Sequence, residues 1–226
     1  IASQSGNLLS SFMNLSRQSN IGISRGISIG NQTCIDTSDY IRYFANDSET
    51  SVIVSYIEGV PDGRKFFEAI RDATESKPVI IIHGGASPEG AKAAASHTGS
   101  LATDDRIFRG MIKQAGAFLA KDPQMAYGWA ATFATQPAPK GKNTLVLTTA
   151  GGWGVLTADA VSESNLTLVD LQDDLKERID KILPPRWSGR NPIDLAGGET
   201  RETIPKIVDL VLSHDSVDAL IFSLSA

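Results

Sequence analysis

Lys142-Asn143-Thr144-Leu145-Val146-Leu147-Thr148-Thr149-Ala150-Gly151-Gly152-Trp153-Gly154-Val155-Leu156-Thr157-Ala158 changes character twice. It begins as a short apolar run closed by threonines, which predicts a buried strand over 144–148. It then passes through a turn of very small residues and continues as a helical pattern over 154–162. Strand, glycine-rich turn and helix in that order form one βα unit of a parallel sheet. The same alternation extends in both directions. Buried strands are predicted at 21–29, 52–57, 79–82, 166–171 and 219–222. Helices are predicted at 36–44, 63–76, 104–114, 172–182 and 203–213. At 63–76, Phe66, Phe67 and Ile70 share one face with Arg and Glu opposite. The expected fold class is α/β, with parallel sheets covered by helices on both faces.

The polar, proline-rich stretch Gln136-Pro137-Ala138-Pro139-Lys140-Gly141-Lys142 reads as the boundary between two domains, 1–136 and 137–226. A chain of 226 residues accommodates two such domains. The net charge of -5 and the lack of a dense Lys/Arg stripe argue against a nucleic-acid partner. They do not exclude an anion site, because helix N-termini and backbone N–H groups bind phosphate without net positive charge. The single cysteine, Cys34, rules out a disulfide within the chain, so a reducing, cytoplasmic setting is the default. No apolar run approaches the ~20 residues that span a bilayer. The first residues are neither a signal nor a transit peptide. They open as if partway through a strand, and the chain stops just after a strand-like run, so the sequence is expected to be a piece of a longer protein.

A second glycine-containing turn, Ser3-Gln4-Ser5-Gly6-Asn7, resembles 148–154 in placement, at the start of its domain and ahead of a helix. In both, small residues let backbone N–H groups converge on a ligand at a helix's positive end. Ser3 and Ser5 are candidate hydroxyl donors. Either turn taken alone also reads as a plain βα turn, and neither matches a P-loop or a full dinucleotide fingerprint. His97 stands among very small residues in Gly90-Ala-Lys-Ala-Ala-Ala-Ser-His-Thr-Gly-Ser-Leu-Ala102, where a reactant can approach closely. Imidazole is largely neutral and nucleophilic at pH 7 and suits phosphoryl relay; a polar surface histidine is the bland alternative. His83, at the C-terminal end of a parallel strand, is a secondary candidate. His214 reads as a solvated cap residue. Glu58 ends the strand 52–57, where a carboxylate fixes the tautomer and orientation of an imidazole or serves as a solvated turn residue. Three scattered histidines give no metal-site pattern.

Ser-Gln-Ser-Gly at 3–6, Tyr-Ile-Glu-Gly at 56–59, Ala-Ala-Ser-His-Thr-Gly-Ser at 94–100 and Thr-Ala-Gly-Gly-Trp-Gly-Val-Leu at 149–156 carry a resemblance. They are followed by Asn-Pro-Ile-Asp-Leu at 191–195, Gly197-Gly198 and Asp-Ala-Leu-Ile at 218–221. Together they resemble the acyl-CoA synthetase (NDP-forming) family, which includes ADP-forming acetyl-CoA synthetases and is related to succinyl-CoA synthetase. The resemblance runs over essentially the whole chain. It implies two doubly wound parallel-sheet, flavodoxin-like domains, the first carrying a phosphohistidine at His97 oriented by Glu58. It further implies phosphate binding by Ser3, Gln4, Ser5 and Gly6 and by Gly151, Gly152 and Gly154, through two helices whose N-termini flank the phosphohistidine. The implied reaction interconverts acyl-CoA, NDP and phosphate with carboxylic acid, CoA and NTP through an acyl phosphate.

Coenzyme A and ATP or ADP with Mg are then substrates of the complete enzyme, with no tightly bound metal in this chain. A CoA-binding domain and an ATP-grasp nucleotide domain or subunit are the implied partners, with a small carboxylic acid as substrate and a homo-oligomer left open. No membrane partner is expected. Where many members carry Lys-x-Gly-Arg-Ser, this chain has His83-Gly84-Gly85-Ala86-Ser87, two positive charges fewer. A regulatory, acyl-CoA-sensing module of the kind fused to protein acetyltransferases is the alternative reading. A doubly wound scaffold with an empty anion site is a third.

Overall fold

The computed structural model describes residues 1–32, 34–98, 104–195, 197–198 and 200–224, without the side chains of His97 and Thr98. The chain divides into two units, Ile1–Pro137 and Ala138–Ala226. The first holds β1 (Ala2–Ser3), α1 (Gly6–Ser19), β2 (Ile27–Ser28), α2 (Thr37–Asn46), β3 (Ile53–Ile57) and α3 (Gly63–Thr74). It continues with β4 (Val79–His83), α4 (Pro88–Thr98), α5 (Asp105–Gln114), β5 (Phe118–Ala120) and α6 (Pro123–Thr135). Every ladder is parallel, in the order β2-β1-β3-β4-β5. That is the flavodoxin-like order, whose ligands bind beyond the strands' carboxyl ends at the β1/β3 switch point.

Side-chain alternation along β3 and β4 feeds two cores. Ile53, Ile57, Val79 and Ile81 pack with Ile41, Phe44, Phe66, Ile70, Phe108 and Ile112 of α2, α3 and α5. Val54, Ile80 and Ile82 pack on the other face with Phe12 of α1 and Ala126 of α6. Each buried side chain of this size contributes about 1.5–3 kcal/mol relative to exposure. Helix starts are set by side-chain caps at Ser5, Asp36, Asp62, Asp104 and Asp122. At the C-terminal end of α2, Lys77 Nζ donates to Phe44 O at 2.8 Å and Asp47 O at 2.6 Å. It adds a charged donor to carbonyls that otherwise accept only a backbone N–H from the following turn.

The second unit holds β6 (Asn143–Thr148), α7 (Gly151–Ser162), β7 (Thr167–Leu168), α8 (Asp173–Asp180), β8 (Ile193–Asp194), α9 (Thr203–Leu212) and β9 (Ala219–Ser223). β6 is the central strand and pairs with β9 over 144–148. Its other edge is shared by β7, at Asn143 and Thr144, and β8, at Leu147 and Thr148. The Asn191 amide fills the gap between them. Val146 N–H donates to Asn191 Oδ1 at 3.0 Å, while Nδ2 donates to Thr144 O at 3.0 Å and Val169 O at 2.8 Å. The Asn191–Pro192 peptide bond is cis. Leu145 and Leu147 pack with Leu175, Ile179, Trp187, Ile207 and Val211 under α8 and α9, and α7 covers the opposite face of β6.

Two predicted strands are shorter than the pattern implied. Of 21–29 only Ile27–Ser28 pairs, because glycines at 22 and 26 interrupt the run and Ile21 O accepts from Ser16 Oγ and Tyr127 Oη instead. Of 166–171 only Thr167–Leu168 pairs, since the Asn191 amide takes the next ladder position. The helix predicted at 154–162 begins at Gly151, so its glycines lie inside the first turn. No helix among the described residues is long and apolar enough to cross a membrane.

Candidate functional site

β1, β3 and β4 end together, and the residues singled out from the first half of the sequence gather there. Ser3, at the end of β1, is fully buried. Its Oγ donates to Ser5 O at 2.7 Å and accepts from Ser5 N at 3.1 Å. This hydroxyl therefore shapes the turn and has no proton left for a ligand. Ser5 caps α1 by accepting from Leu8 N at 3.3 Å, a role that leaves its own proton to be donated. Gly6 opens the helix, where the first N–H groups have no intrahelical acceptor.

Gln4, placed in the phosphate-binding turn by the sequence, is also bonded to the end of β3. Its main-chain N–H donates to Tyr56 O at 3.1 Å. Its side-chain Oε1 accepts from Glu58 N at 2.7 Å and Gly59 N at 3.3 Å, and Nε2 donates to Gly59 O at 2.8 Å. Gln4 thus clamps the backbone at the end of β3 with its amide. Glu58 follows, with Oε1 accepting from Tyr56 Oη at 3.0 Å. Burial, reinforced by that carboxylate, pushes the Tyr56 phenol up to about 12.

Across from Glu58 lies α4. Tyr56, Glu58, Gly85, Gly90, Ala93 and Ala94 line an open groove of about 440 Å³. Position 97 falls in the last turn of α4, three and four residues beyond Ala94 and Ala93 and seven beyond Gly90, on the same helical stripe. The side chain of His97 lies outside the described residues, as do Gly99 and Ser100 of the same motif. Gly85 turns the chain into α4 with φ +84°. A Cβ on Gly84 would stand 2.5 Å from Tyr56 Oη.

His83 is directed away from this groove. Its side chain is 5% exposed and stacks on Phe108 with ring centroids 3.9 Å apart. Nδ1 meets Asp105 Oδ1 at 3.2 Å, and Asp105 also binds Arg109. Burial holds the imidazole below its ordinary range against the opposing pull of Asp105. Arg109, then His83, keep the Asp105 carboxyl low. His214 is not a solvated cap: its side chain is 9% exposed, with Nε2 at 3.1 Å from Asp174 Oδ2 and Nδ1 at 2.7 Å from Ser216 Oγ.

The turn in the second unit repeats the first. Thr148 Oγ1 donates to Ala150 O at 2.8 Å and accepts from Ala150 N at 3.1 Å, as Ser3 does with Ser5. Ala150 supplies no side-chain cap, so Gly151 and Gly152 begin α7 with only their backbones. A Cβ on Gly151 would lie 2.8 Å from Asp194 Oδ2. Gly154 departs from the phosphate role. Its N–H donates to Ala150 O at 3.3 Å, and a Cβ there would stand 3.0 Å from Thr148 Cγ2 and 3.4 Å from Pro192 Cβ. It is a packing glycine. Among the described residues no cluster of His, Cys, Asp and Glu has the makings of a metal site.

Residues 1–133 match the succinyl-CoA ligase like flavodoxin domain, and residues 144–225 match the Ligase-CoA domain. The chain belongs to the succinyl-CoA ligase-like family. Relatives of this succinyl-CoA ligase-like chain include two proteins of Pyrococcus furiosus. The alpha subunit of its ADP-forming acetate–CoA ligase I is 37% identical over 220 residues, 97% of this chain and 47% of the relative. The alpha subunit of ligase II is 39% identical over 219 residues, 97% of this chain and 48% of the relative. A solved dinucleotide-forming acetyl-coenzyme A synthetase 1 from Ca. Korarchaeum cryptofilum, in complex with phosphate and ADP, superposes with a TM-score of 0.92 at 36% identity. It covers 99% of this chain and 48% of that one. The chain spans about half the length of the curated alpha subunits it matches.

Sequence reasoning missed Tyr56 as a partner of Glu58 and Gln4 as its clamp. The Tyr56-x-Glu58 spacing was a usable sign, because residues two apart on a strand share a face.

Proposed function

We propose that this chain is the phosphohistidine-bearing part of an NDP-forming acyl-CoA synthetase. The complete enzyme interconverts acyl-CoA, ADP and phosphate with carboxylic acid, CoA and ATP. Phosphate attacks the acyl carbonyl and the CoA thiolate leaves, giving an acyl phosphate. His97 then attacks phosphorus and the carboxylate leaves. ADP, arriving with magnesium as a substrate, takes the phosphoryl group from the imidazole. The catalysis is mostly positioning and charge stabilisation.

One observation carries the reading. The Glu58 carboxylate stands on one side of a groove whose other wall is the stripe of α4 that continues through position 97. A carboxylate there holds one imidazole nitrogen so that the other faces the phosphoryl donor. Backbone N–H groups at the starts of α1 and α7, at Gly6 and at Gly151 and Gly152, receive phosphate groups of the cycle, with Ser5 adding a hydroxyl. Each helix end contributes about 0.3–1 kcal/mol to a bound anion, and charge-assisted bonds add to it. A CoA-binding domain and an ATP-grasp domain or subunit supply the rest, in a cytoplasmic enzyme.

Incubating the complete protein with labelled ATP and magnesium tests the assignment. Acid-labile label is expected on His97, discharged by carboxylic acid plus CoA. It should be absent in His97→Asn with the fold unchanged. Label persisting in that variant refutes the role of His97. No label in the wild type, with nucleotide demonstrably bound, favours the acyl-CoA-sensing module instead.

A further inference from the structure

We propose that Tyr56 is a positioning residue for the phosphoryl relay, holding the Glu58 carboxylate at a fixed angle toward α4. The inference rests on the reading that Glu58 orients the imidazole of His97. Three independent features of the fold converge on it. The Tyr56 hydroxyl donates to Glu58 Oε1 at 3.0 Å. Gly84 lacks the side chain that would occupy the phenol's place, since a Cβ would stand 2.5 Å from Tyr56 Oη and 3.0 Å from Cζ. The Gln4 amide fixes the main chain of the same carboxylate through Glu58 N, Gly59 N and Gly59 O.

Glu58 is thereby held at both ends, its backbone from β1 and its carboxylate from within its own strand. A glutamate at the end of a strand otherwise samples several rotamers about three side-chain torsions. A hydrogen bond to one carboxylate oxygen removes most of that freedom. The phenol also selects a charge state. Burial and the neighbouring carboxylate push the phenol up to about 12, so it stays protonated and donates.

Gly84 extends the inference to the loop that enters α4. It lies in His83-Gly84-Gly85, between the end of β4 and the start of α4. Here the loop's contribution is room: its bare backbone lets the phenol reach across to Glu58. Gly84→Ala should therefore act like removal of the hydroxyl, by displacing the ring.

The test is a double-mutant cycle on phosphorylation of His97 in the complete protein, with single-turnover rates measured against pH for wild type, Tyr56→Phe, Glu58→Gln, the double variant and Gly84→Ala. Tyr56→Phe is expected to slow phosphorylation about tenfold, the loss of one hydrogen bond to a charged group. Nucleotide KM should stay unchanged. In the Glu58→Gln background the further change to Phe should have no effect, because Tyr56 acts through Glu58. Gly84→Ala should match Tyr56→Phe. An ultraviolet titration supplies a second readout: one tyrosine ionises near pH 12 in wild type and earlier in Glu58→Gln. If Glu58→Gln is slow and Tyr56→Phe runs at the wild-type rate, the positioning role is wrong and the Glu58 reading stands. Equal slowing by Tyr56→Phe in both backgrounds also overturns it, since the hydroxyl would then act without Glu58. A Glu58→Gln enzyme at the wild-type rate removes the Glu58 reading itself, and the positioning role falls with it.

Discussion

Asn191→Ala should destabilise the second unit by about 2–4 kcal/mol, and the parts of that figure can be assigned one by one. Val146 is fully buried, and its N–H loses the Asn191 Oδ1 acceptor at 3.0 Å. A buried donor left unsatisfied costs about 1–3 kcal/mol. Val169 O loses a donor at 2.8 Å, a net contribution of about 0.5–1.5 kcal/mol. Thr144 O loses a bond at 3.0 Å but keeps the one from Val169 N–H at 3.1 Å, so its share is smaller. Asn191→Asp is the sharper control. It is nearly isosteric and keeps the acceptor for Val146, yet turns the two donors into an oxygen facing two carbonyl oxygens. It should be at least as destabilising as alanine. Urea unfolding followed by Trp187, which is 6% exposed in this unit's core, measures both variants in a background with Trp129 and Trp153 changed to Phe. The midpoint should fall with the slope unchanged, and the melting temperature should drop by roughly 10–20 °C for a unit of this size. A loss below about 0.5 kcal/mol in both variants, the size of an ordinary surface change, would show that β6 does not depend on this amide for its edge.

Acid should weaken the first unit through His83. Burial favours the neutral ring in the fold, so this contribution to stability is present above the unfolded value near ~6.5 and is lost as pH falls through the lower folded value. An NMR titration of the His83 ring should give a midpoint below that of a free histidine, and a midpoint at or above it would contradict the buried, stacked placement. Lys77→Met should cost about 1–3 kcal/mol by leaving the carbonyls of Phe44 and Asp47 without their charged donor. Urea unfolding of the first unit reads this directly, and an unchanged midpoint would mean that water replaces the ammonium without loss.

The parallel α/β fold was legible because strands such as 79–82 are continuous runs of branched apolar residues, as sheets buried on both faces require. Elements lacking that contrast were hidden. α4 is mostly Ala, Gly and Ser, and α6 carries apolar residues all round, so neither displays the one-sided stripe that marks an amphipathic helix. β5 and β8 are too short to stand out. The overlong reading of 166–171 failed for a different reason. A side chain distant in sequence, Asn191, occupies the ladder position that the strand pattern assigned to backbone.

Among the candidate residues of each unit, Glu58 and the glycine-containing turns were visible as strand-end motifs. The division of labour inside them was not. Ser3 and Gln4 look like phosphate donors in a linear reading, yet one closes its own turn and the other reaches across 54 residues to the main chain of Glu58. Gly154 looks equivalent to Gly151 and Gly152, but its hydrogen is taken by Ala150 O. These roles depend on which atom meets which, and spacing along the chain carries no record of that.

The matching hydroxyl latches, Ser3 on Ser5 and Thr148 on Ala150, have a consequence for protein engineering. The hydroxyl of each latch bonds only within its own three residues. Such a loop is a transplantable part. Grafting 3–6 onto the end of β6 in place of 148–151 should preserve the curl of the backbone. The swap would bring a hydroxyl cap to α7 and remove the methyl that Gly154 accommodates. Donor geometry at the two helix starts can thus be exchanged without redesigning either sheet.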